Sequence, residues 1–409
     1  MDSTVLQPEA SYPDEWREMP FDNFTTLKRG KDLTREHFRN GNVPVTGSNG
    51  VIGYHDTANV KAPGVTVGRS GSVGKVCFQE EDFWAHNTAL FVADFHGNYP
   101  RFAGYFLEFL KLERFGSGVS VPTLDRNVFR TLPVVVPILS EQRKIASVLG
   151  LVRRAIEQQE RLIALTTELK KSLMRKLFTE GLRGERQKQT DVGSMPESWE
   201  VVPLGALAKI GNGSTPKRDN MSYWEGGSIP WLTSAKIHER FITEADEFVT
   251  ELAARECHLL RVKPGSLLIA ITGQGKTLGN SALVSFETCI SQHLAYAQFH
   301  SPDTVPEFVL WYFQTRYQHL RSVSQAGGST KGALTCGYLK TYPVPVPSRE
   351  EQSKIADMFI ALEQKEQAHI RKRQTLTDLF RTLLHQLMTA QIRVYDLDLS
   401  FLEQEAVGG

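Results

Sequence analysis

Residues 131–146 read TLPVVVPILSEQRKIA and residues 341–356 read TYPVPVPSREEQSKIA. A chain that writes one junction twice is assembled from two related units, and this constrains its fold more than any local propensity. Each copy is a stop followed by a start. Proline fixes φ and biases the preceding residue away from helix, so Pro133 and Pro137, and then Pro343, Pro345 and Pro347, hold an extended segment. Ser140 is placed to cap a helix carrying Glu141 in its first turn, and Ser348 with Glu351 has the Ser-x-x-Glu spacing of a capping box.

The correspondence extends beyond the junctions. PDEWREMPFDNF from Pro13 answers PESWEVVPLGAL from Pro196, each opening on Pro-x-x-Trp. The glycine-rich TVGRSGSVGKVCF from Thr66 answers LLIAITGQGKTLGNSALV from Leu267, and GSGVSVPTLDRNVF from Gly116 answers GGSTKGALTCGYL from Gly327. Between its Trp and its Glu-Gln the second unit is about 27 residues longer. Matched ends with divergent middles imply one scaffold carrying two different surfaces.

After each junction apolar residues recur at spacings of three and four, from Ile145 to Leu177 and from Ile355 to Leu387. Each run predicts about 35 to 40 residues of helix, roughly 55 to 60 Å long. A heptad-like seam interrupted by Gln159, Thr166, Glu366 and His369 fits two helices packed on each other in an antiparallel coiled coil. Inside the units, short apolar runs such as GVTVG, TALFVA, SLLIAIT and LAYAQF alternate with glycine turns and with helical stretches such as RFAGYFLEFLKLE. That pattern is α+β. The expected organisation is a tail over 1–12, a globular domain over 13–139, a long helix over 140–180, a linker over 181–195, a second globular domain over 196–347, a second long helix over 348–391 and a tail over 392–409.

Composition excludes several classes. No stretch approaches the ~18 apolar residues of a membrane span, and the N-terminus lacks a basic region followed by an apolar one, so a cytoplasmic protein with no membrane partner is expected. Cys77, Cys257, Cys289 and Cys336 form no C-x-x-C pair. Cys289 and His293 have helical ligand spacing, but a buried free cysteine is the commoner reading and no metal is assigned. AITGQGKT, Ala270–Thr277, resembles a relaxed P-loop, making a nucleotide hydrolase using Lys276 one alternative. Against it, LGNSALVSF after Thr277 favours a turn and strand where a phosphate cradle needs a helix, and no apolar run ending in acidic residues follows. There is no Asn-Pro-Pro-Tyr or Asp-Pro-Pro-Tyr tetrad, no cofactor loop and no Ser-His-Asp arrangement, so no catalytic, cofactor-binding or metal residues are assigned. A second alternative is a coiled-coil scaffold that never meets DNA.

The repeated P-x-P-x-x-x-E-Q-x-K-I-A junctions, the Trp openings, GNVPVTGSNGVIGYHD and GRSGSVGK…WAHNTALFV together resemble the specificity subunits of type I restriction-modification systems. The resemblance runs from about Pro13 to Ile392. It implies a non-catalytic DNA reader in which two target-recognition domains, separated by antiparallel helices, each read half of a bipartite, asymmetric site in double-stranded DNA. It further implies two modification subunits that bring S-adenosylmethionine, and restriction subunits that bring ATP and Mg2+. Polar, glycine-flanked loops are the natural contacts: Lys28, Arg29, Lys31, Ser48, Asn49, Arg69, Ser70 and Lys75 in the first domain, and Ser214, Thr215, Lys217, Arg218, Thr233, Lys236, Gln274, Lys276, Thr330 and Lys331 in the second. Glu141, Gln142, Glu351 and Gln352 are expected to serve architecture or subunit docking.

Overall fold

The structure is a computed structural model and describes residues 11–118, 122–273, 276–326 and 333–397. Its longest helices are α1 (Pro100–Leu110), α2 (Leu139–Glu180), α3 (Pro306–Ala326) and α4 (Arg349–Met388). The chain divides into two compact units, one of residues 1–161 and 370–409, the other of residues 162–369. Both α2 and α4 therefore contribute a half to each unit. No helix among the described residues is long and apolar enough to cross a membrane.

In the first unit a four-stranded antiparallel sheet runs in the order Thr26–Arg29, Ala89–Asp94, Gly64–Gly68, Val76–Gln79. Gly64–Gly68 is buried at every residue because it lies inside this sheet, which explains an unbroken GVTVG where a half-exposed strand would alternate. A smaller sheet joins Val43–Gly47 to Gly50–His55 and, in parallel, to Trp84–Ala85. Phe102, Phe106 and Leu110 of α1 share a core with Val65, Val67 and Leu90 of the sheet, Ile145 and Leu149 of α2, and Phe380 and Leu387 of α4.

The second unit repeats this plan. Its main sheet runs Ala208–Asn212, Leu294–Phe299, Leu267–Ala270, Ser281–Val284, with Phe241–Ile242 added at the edge. Its small sheet joins Ile229–Leu232 to Glu247–Val249 and, in parallel, to Cys289–Ile290. The added edge strand and the helix Glu251–Glu256 take up part of the extra length. Cys289 is thus a buried strand residue, which overturns the helical ligand spacing.

The proline-spaced segments close each unit. Pro133–Val136 pairs antiparallel with Arg17–Pro20, and Pro343–Val346 with Glu200–Pro203. Two-stranded ribbons tolerate prolines because a residue with no N–H can face away from the partner strand. Each ribbon brings the opening tryptophan of a unit beside its helix start. The helix after the first junction begins at Leu139, two residues too early for Ser140 to cap it, and the Ser140 Oγ instead meets the Tyr395 hydroxyl at 3.5 Å. Ser348 does cap α4, accepting from the Glu351 N–H at 3.4 Å. Part of the expected linker is ordered, as a hairpin of Gln187–Thr190 with Gly193–Pro196.

Within each unit the halves of α2 and α4 run antiparallel. In the first, the Arg153 guanidinium lies over the Phe380 ring at 4.2 Å. In the second, the buried Lys170 pairs with Glu363 at 2.8 Å and with Glu366, and Arg240 reaches the same Glu363. Burial alone would raise the Glu363 pKa, but the Lys170 and Arg240 charges outweigh it and hold the carboxyl below its usual range. A junction offset of 210 residues makes Arg153 the counterpart of Glu363 and Lys170 that of Phe380.

Candidate nucleic-acid interface

The Glu-Gln pairs of the junctions are interior residues, all four buried. Gln142 accepts from the Tyr99 N–H at 2.8 Å and donates to Asn98 Oδ1 at 2.8 Å and to the Pro137 carbonyl at 2.9 Å. Gln352 accepts from the Val305 N–H at 2.9 Å and donates to the Asp303 carbonyl at 3.1 Å and the Pro347 carbonyl at 2.9 Å. Tyr99 and Val305 immediately precede α1 and α3. Each glutamine therefore ties the end of a proline strand to the start of its unit's packing helix.

The glutamates join helix starts to helix ends. Glu141 accepts from Arg393, just beyond α4, at 2.9 and 3.0 Å, and from the Trp16 indole at 3.1 Å. The two carboxylates of Glu141 and Glu15 hold the Arg393 guanidinium above its usual pKa. Glu351 accepts from the N–H of Leu182, just beyond α2, at 2.9 Å. Gly181, at φ +65°, brings the chain there, where a Cβ would lie 2.9 Å from Glu351 Oε1. These side chains lie inside the units and tie their elements together.

At the end of the sheets in the first unit, three loops converge on the segment 85–89 and a fourth joins them through Arg69. The Gly30 N–H donates to the Ala89 carbonyl at 3.0 Å, and the Lys31 N–H to that of Ala85 at 2.9 Å. His86 N–H reaches the Thr46 carbonyl at 2.9 Å, Arg69 N–H the Thr88 carbonyl at 2.8 Å, and Leu124 N–H the Arg69 carbonyl at 2.8 Å. In the second unit the same five bonds recur: Gly213 to Leu294 at 3.2 Å, Ser214 to Ile290 at 3.0 Å, Ser291 to Leu232 at 2.9 Å, Ile271 to His293 at 3.0 Å, and Leu334 to Ile271 at 2.8 Å. Gly30 and Gly213 are obligatory in this frame. A Cβ would stand 2.1 Å from the His86 carbonyl oxygen in one and 1.8 Å from that of Ile290 in the other.

The side chains on the frame differ. Residues 86–88 are His-Asn-Thr and residues 291–293 are Ser-Gln-His. In the first unit His86 Nδ1 meets Thr88 Oγ1 at 2.9 Å, and Asn87 donates to Asp32 at 2.7 Å. In the second, Thr272 Oγ1 meets His293 Nδ1 at 2.6 Å while Gln292 is exposed.

Of the residues singled out from sequence, Lys31, Ser48, Asn49, Arg69, Ser70 and Lys75 come together around the first frame. Ser48 N–H donates to Thr88 Oγ1 at 3.3 Å, and Lys75 Nζ donates to Asn49 Oδ1 at 2.6 Å. Burial, and then the neighbouring Arg29 charge, lower the Arg69 pKa. Lys28 lies apart, lining a shallow cleft with Arg126 and Arg130. In the second unit Ser214 enters the frame, the Thr215 hydroxyl is buried, and Thr233 follows the strand Ile229–Leu232, accepting from the Ala235 N–H at 3.3 Å. Lys217 and Arg218 lie beyond it. Arg218 stacks over Trp224 at 4.0 Å and pairs with Glu247. Lys236 is claimed by Glu239 at 2.8 Å and Asp246 at 3.0 Å, which raise its pKa. Lys276 is exposed, its carbonyl accepting from the Tyr317 hydroxyl at 2.7 Å. The next element after it is the strand Ser281–Val284, so the helix that a P-loop requires is not formed. Gln274, Thr330 and Lys331 lie outside the described residues. Residues 86–88 and 291–293 were missed because only the closure of distant strands gives them their importance.

Another concavity, about 610 Å³ between α1 and α2, has charges that answer each other: Arg101 pairs with Glu80, and Arg153 with Glu108. Among the described residues no cluster of His, Cys, Asp or Glu is placed to hold a metal ion.

One unit written twice, with a matched backbone frame and unmatched side chains, defines a protein of two related domains carrying different loop surfaces. The chain belongs to the family of type I restriction modification DNA specificity domains, whose model matches residues 13–167 and 196–377. It is 32% identical over 190 residues to the type I restriction enzyme MjaIX specificity subunit of Methanocaldococcus jannaschii, a match covering 45% of this chain and 42% of that protein. To the MjaVIII specificity subunit of the same organism it is 24% identical over 314 residues, covering 71% of this chain and 68% of the other. The fold is that of the S subunit from M. genitalium, with a TM-score of 0.67 at 19% identity over 91% of this chain and 96% of that one.

Proposed function

We infer that this chain is a non-catalytic DNA specificity subunit in which each unit reads one half of a bipartite, asymmetric site. The observation that carries this reading is the backbone frame repeated bond for bond with different side chains on it. A duplicated frame supports two modification subunits acting equivalently on the two strands, and divergent side chains support two unlike half-sites. The partners are double-stranded DNA, modification subunits carrying S-adenosylmethionine, and restriction subunits using ATP and Mg2+, all in the cytoplasm.

The net charge of +1 bears on affinity. Neutralising phosphates drives binding through counterion release, so the isolated chain binds weakly and the assembled complex clamps the duplex. A gel shift showing tight, site-specific binding by the isolated chain at physiological salt would contradict this. The central test replaces residues 196–347 with the corresponding domain of another family member and maps N6-methyladenine in the host. One half-site should change and the other persist; a change in both, or in neither, rejects the two-reader assignment.

A further inference from the structure

We propose that Asn87 and Gln292, the middle residues of the two equivalent turns, are specificity-determining side chains, each reading an A·T pair in its own half-site. The inference rests on the DNA-reading function above and deepens it.

The five shared backbone bonds make position 87 the counterpart of 292. Their neighbours change chemistry completely, His86 to Ser291 and Thr88 to His293, yet both middle residues are carboxamides. A carboxamide presents a donor and an acceptor side by side, the pattern that matches N6 and N7 of adenine in the major groove. The surrounding side chains suit a different task. Lys31, Arg69 and Lys75 in one unit, and Ser214 in the other, are of types that can position phosphates, while the Thr215 hydroxyl is buried. Among these side chains the carboxamide is the group whose paired donor and acceptor fit adenine.

The two differ in how they are held. Asn87 donates to Asp32 at 2.7 Å, which fixes the amide plane. Gln292 is exposed and makes no side-chain hydrogen bond among the described residues, and its extra methylene extends its reach. One frame thus presents the same functional group at two depths.

The test uses the assembled complex with its modification subunits, expressed in a host free of adenine methylation, with the methylated motif read genome-wide. Gln292→Ala should make one position of one half-site degenerate, lowering discrimination for its A·T pair about 5- to 150-fold, the equivalent of ~1–3 kcal/mol. Asn87→Ala should do the same in the other half-site. Gln292→Glu, which can only accept, should shift the same position toward cytosine, whose N4 amino group donates. An unchanged motif, or degeneracy spread over both halves, overturns the assignment. So does loss of assembly or of all methylation in both Gln292 variants, because that is what a structural residue would give. If the unaltered complex methylates no bipartite motif, the specificity reading itself fails instead.

Discussion

Replacing Gln352 by alanine removes three hydrogen bonds from a buried site without touching any loop of the recognition frame. The side chain accepts from the Val305 N–H and donates to the carbonyls of Asp303 and Pro347. The carbonyls keep second lone pairs that can be satisfied elsewhere, so the orphaned donor at Val305 is the main cost. An unsatisfied buried group costs ~1–3 kcal/mol, and the small void left behind adds to it, giving about 2–4 kcal/mol in total. Because Val305 leads directly into α3, the loss should appear as easier opening of that helix start. Hydrogen exchange of the full chain should show the amides of Val305 and of residues 307–309 exchanging about 30- to 1000-fold faster, since ~1.4 kcal/mol is a factor of ten. Gln352→Glu, nearly the same shape, should be at least as damaging because it sets a carboxylate against two carbonyls. The methylated motif should not change. A loss of protection below about threefold, a benign Gln352→Glu, or an altered motif would refute the account of this glutamine as an internal tie.

Lys170→Ala leaves Glu363 and Glu366 buried without their shared cation and should destabilise the chain by about 3–5 kcal/mol in urea unfolding, whereas replacing these three and Arg240 together by apolar residues should be close to neutral. The Glu363 pKa is depressed in the folded chain, so its contribution is fully present above the unfolded carboxyl value of ~4.3 and is lost as pH falls through the lower folded value. Melting curves between pH 7 and pH 3 should therefore fall more steeply for the native chain than for Glu363→Gln. Gly213→Ala should push its Cβ against the Ile290 carbonyl and abolish methylation or degrade one half-site, and Gly30→Ala should degrade the other.

Much of the architecture could be read before any coordinates were known, because it is written as repetition. The ribbons of Pro133–Val136 and Pro343–Val346, the helices launched after them and the two-unit plan all follow from local chemistry repeated at a constant offset. Positions whose meaning depends on a distant partner were not legible. Nothing near Lys236 in sequence says that Glu239 and Asp246 will both turn toward it, or that Arg218 will lie on Trp224, so both look like phosphate contacts. Ser140 has the side chain of a cap, yet the helix starts at Leu139 and places it inside the first turn. Asn87 and Gln292 were invisible for the opposite reason: their turns are unremarkable until the loops at residues 30, 47 and 69, and at 213, 232 and 271, close upon them.

The seam between α2 and α4 has a consequence for how such chains coexist. Arg153 rests on Phe380 in one unit and Lys170 between two glutamates in the other. If an α2 met another α2 in the same antiparallel register, Arg153 would face Lys170; if an α4 met another α4, Glu363 would face Phe380. Neither pairing is complementary. A second copy of either helix is therefore a poorer partner for it than the other helix of the same chain, which favours closure of each chain on itself.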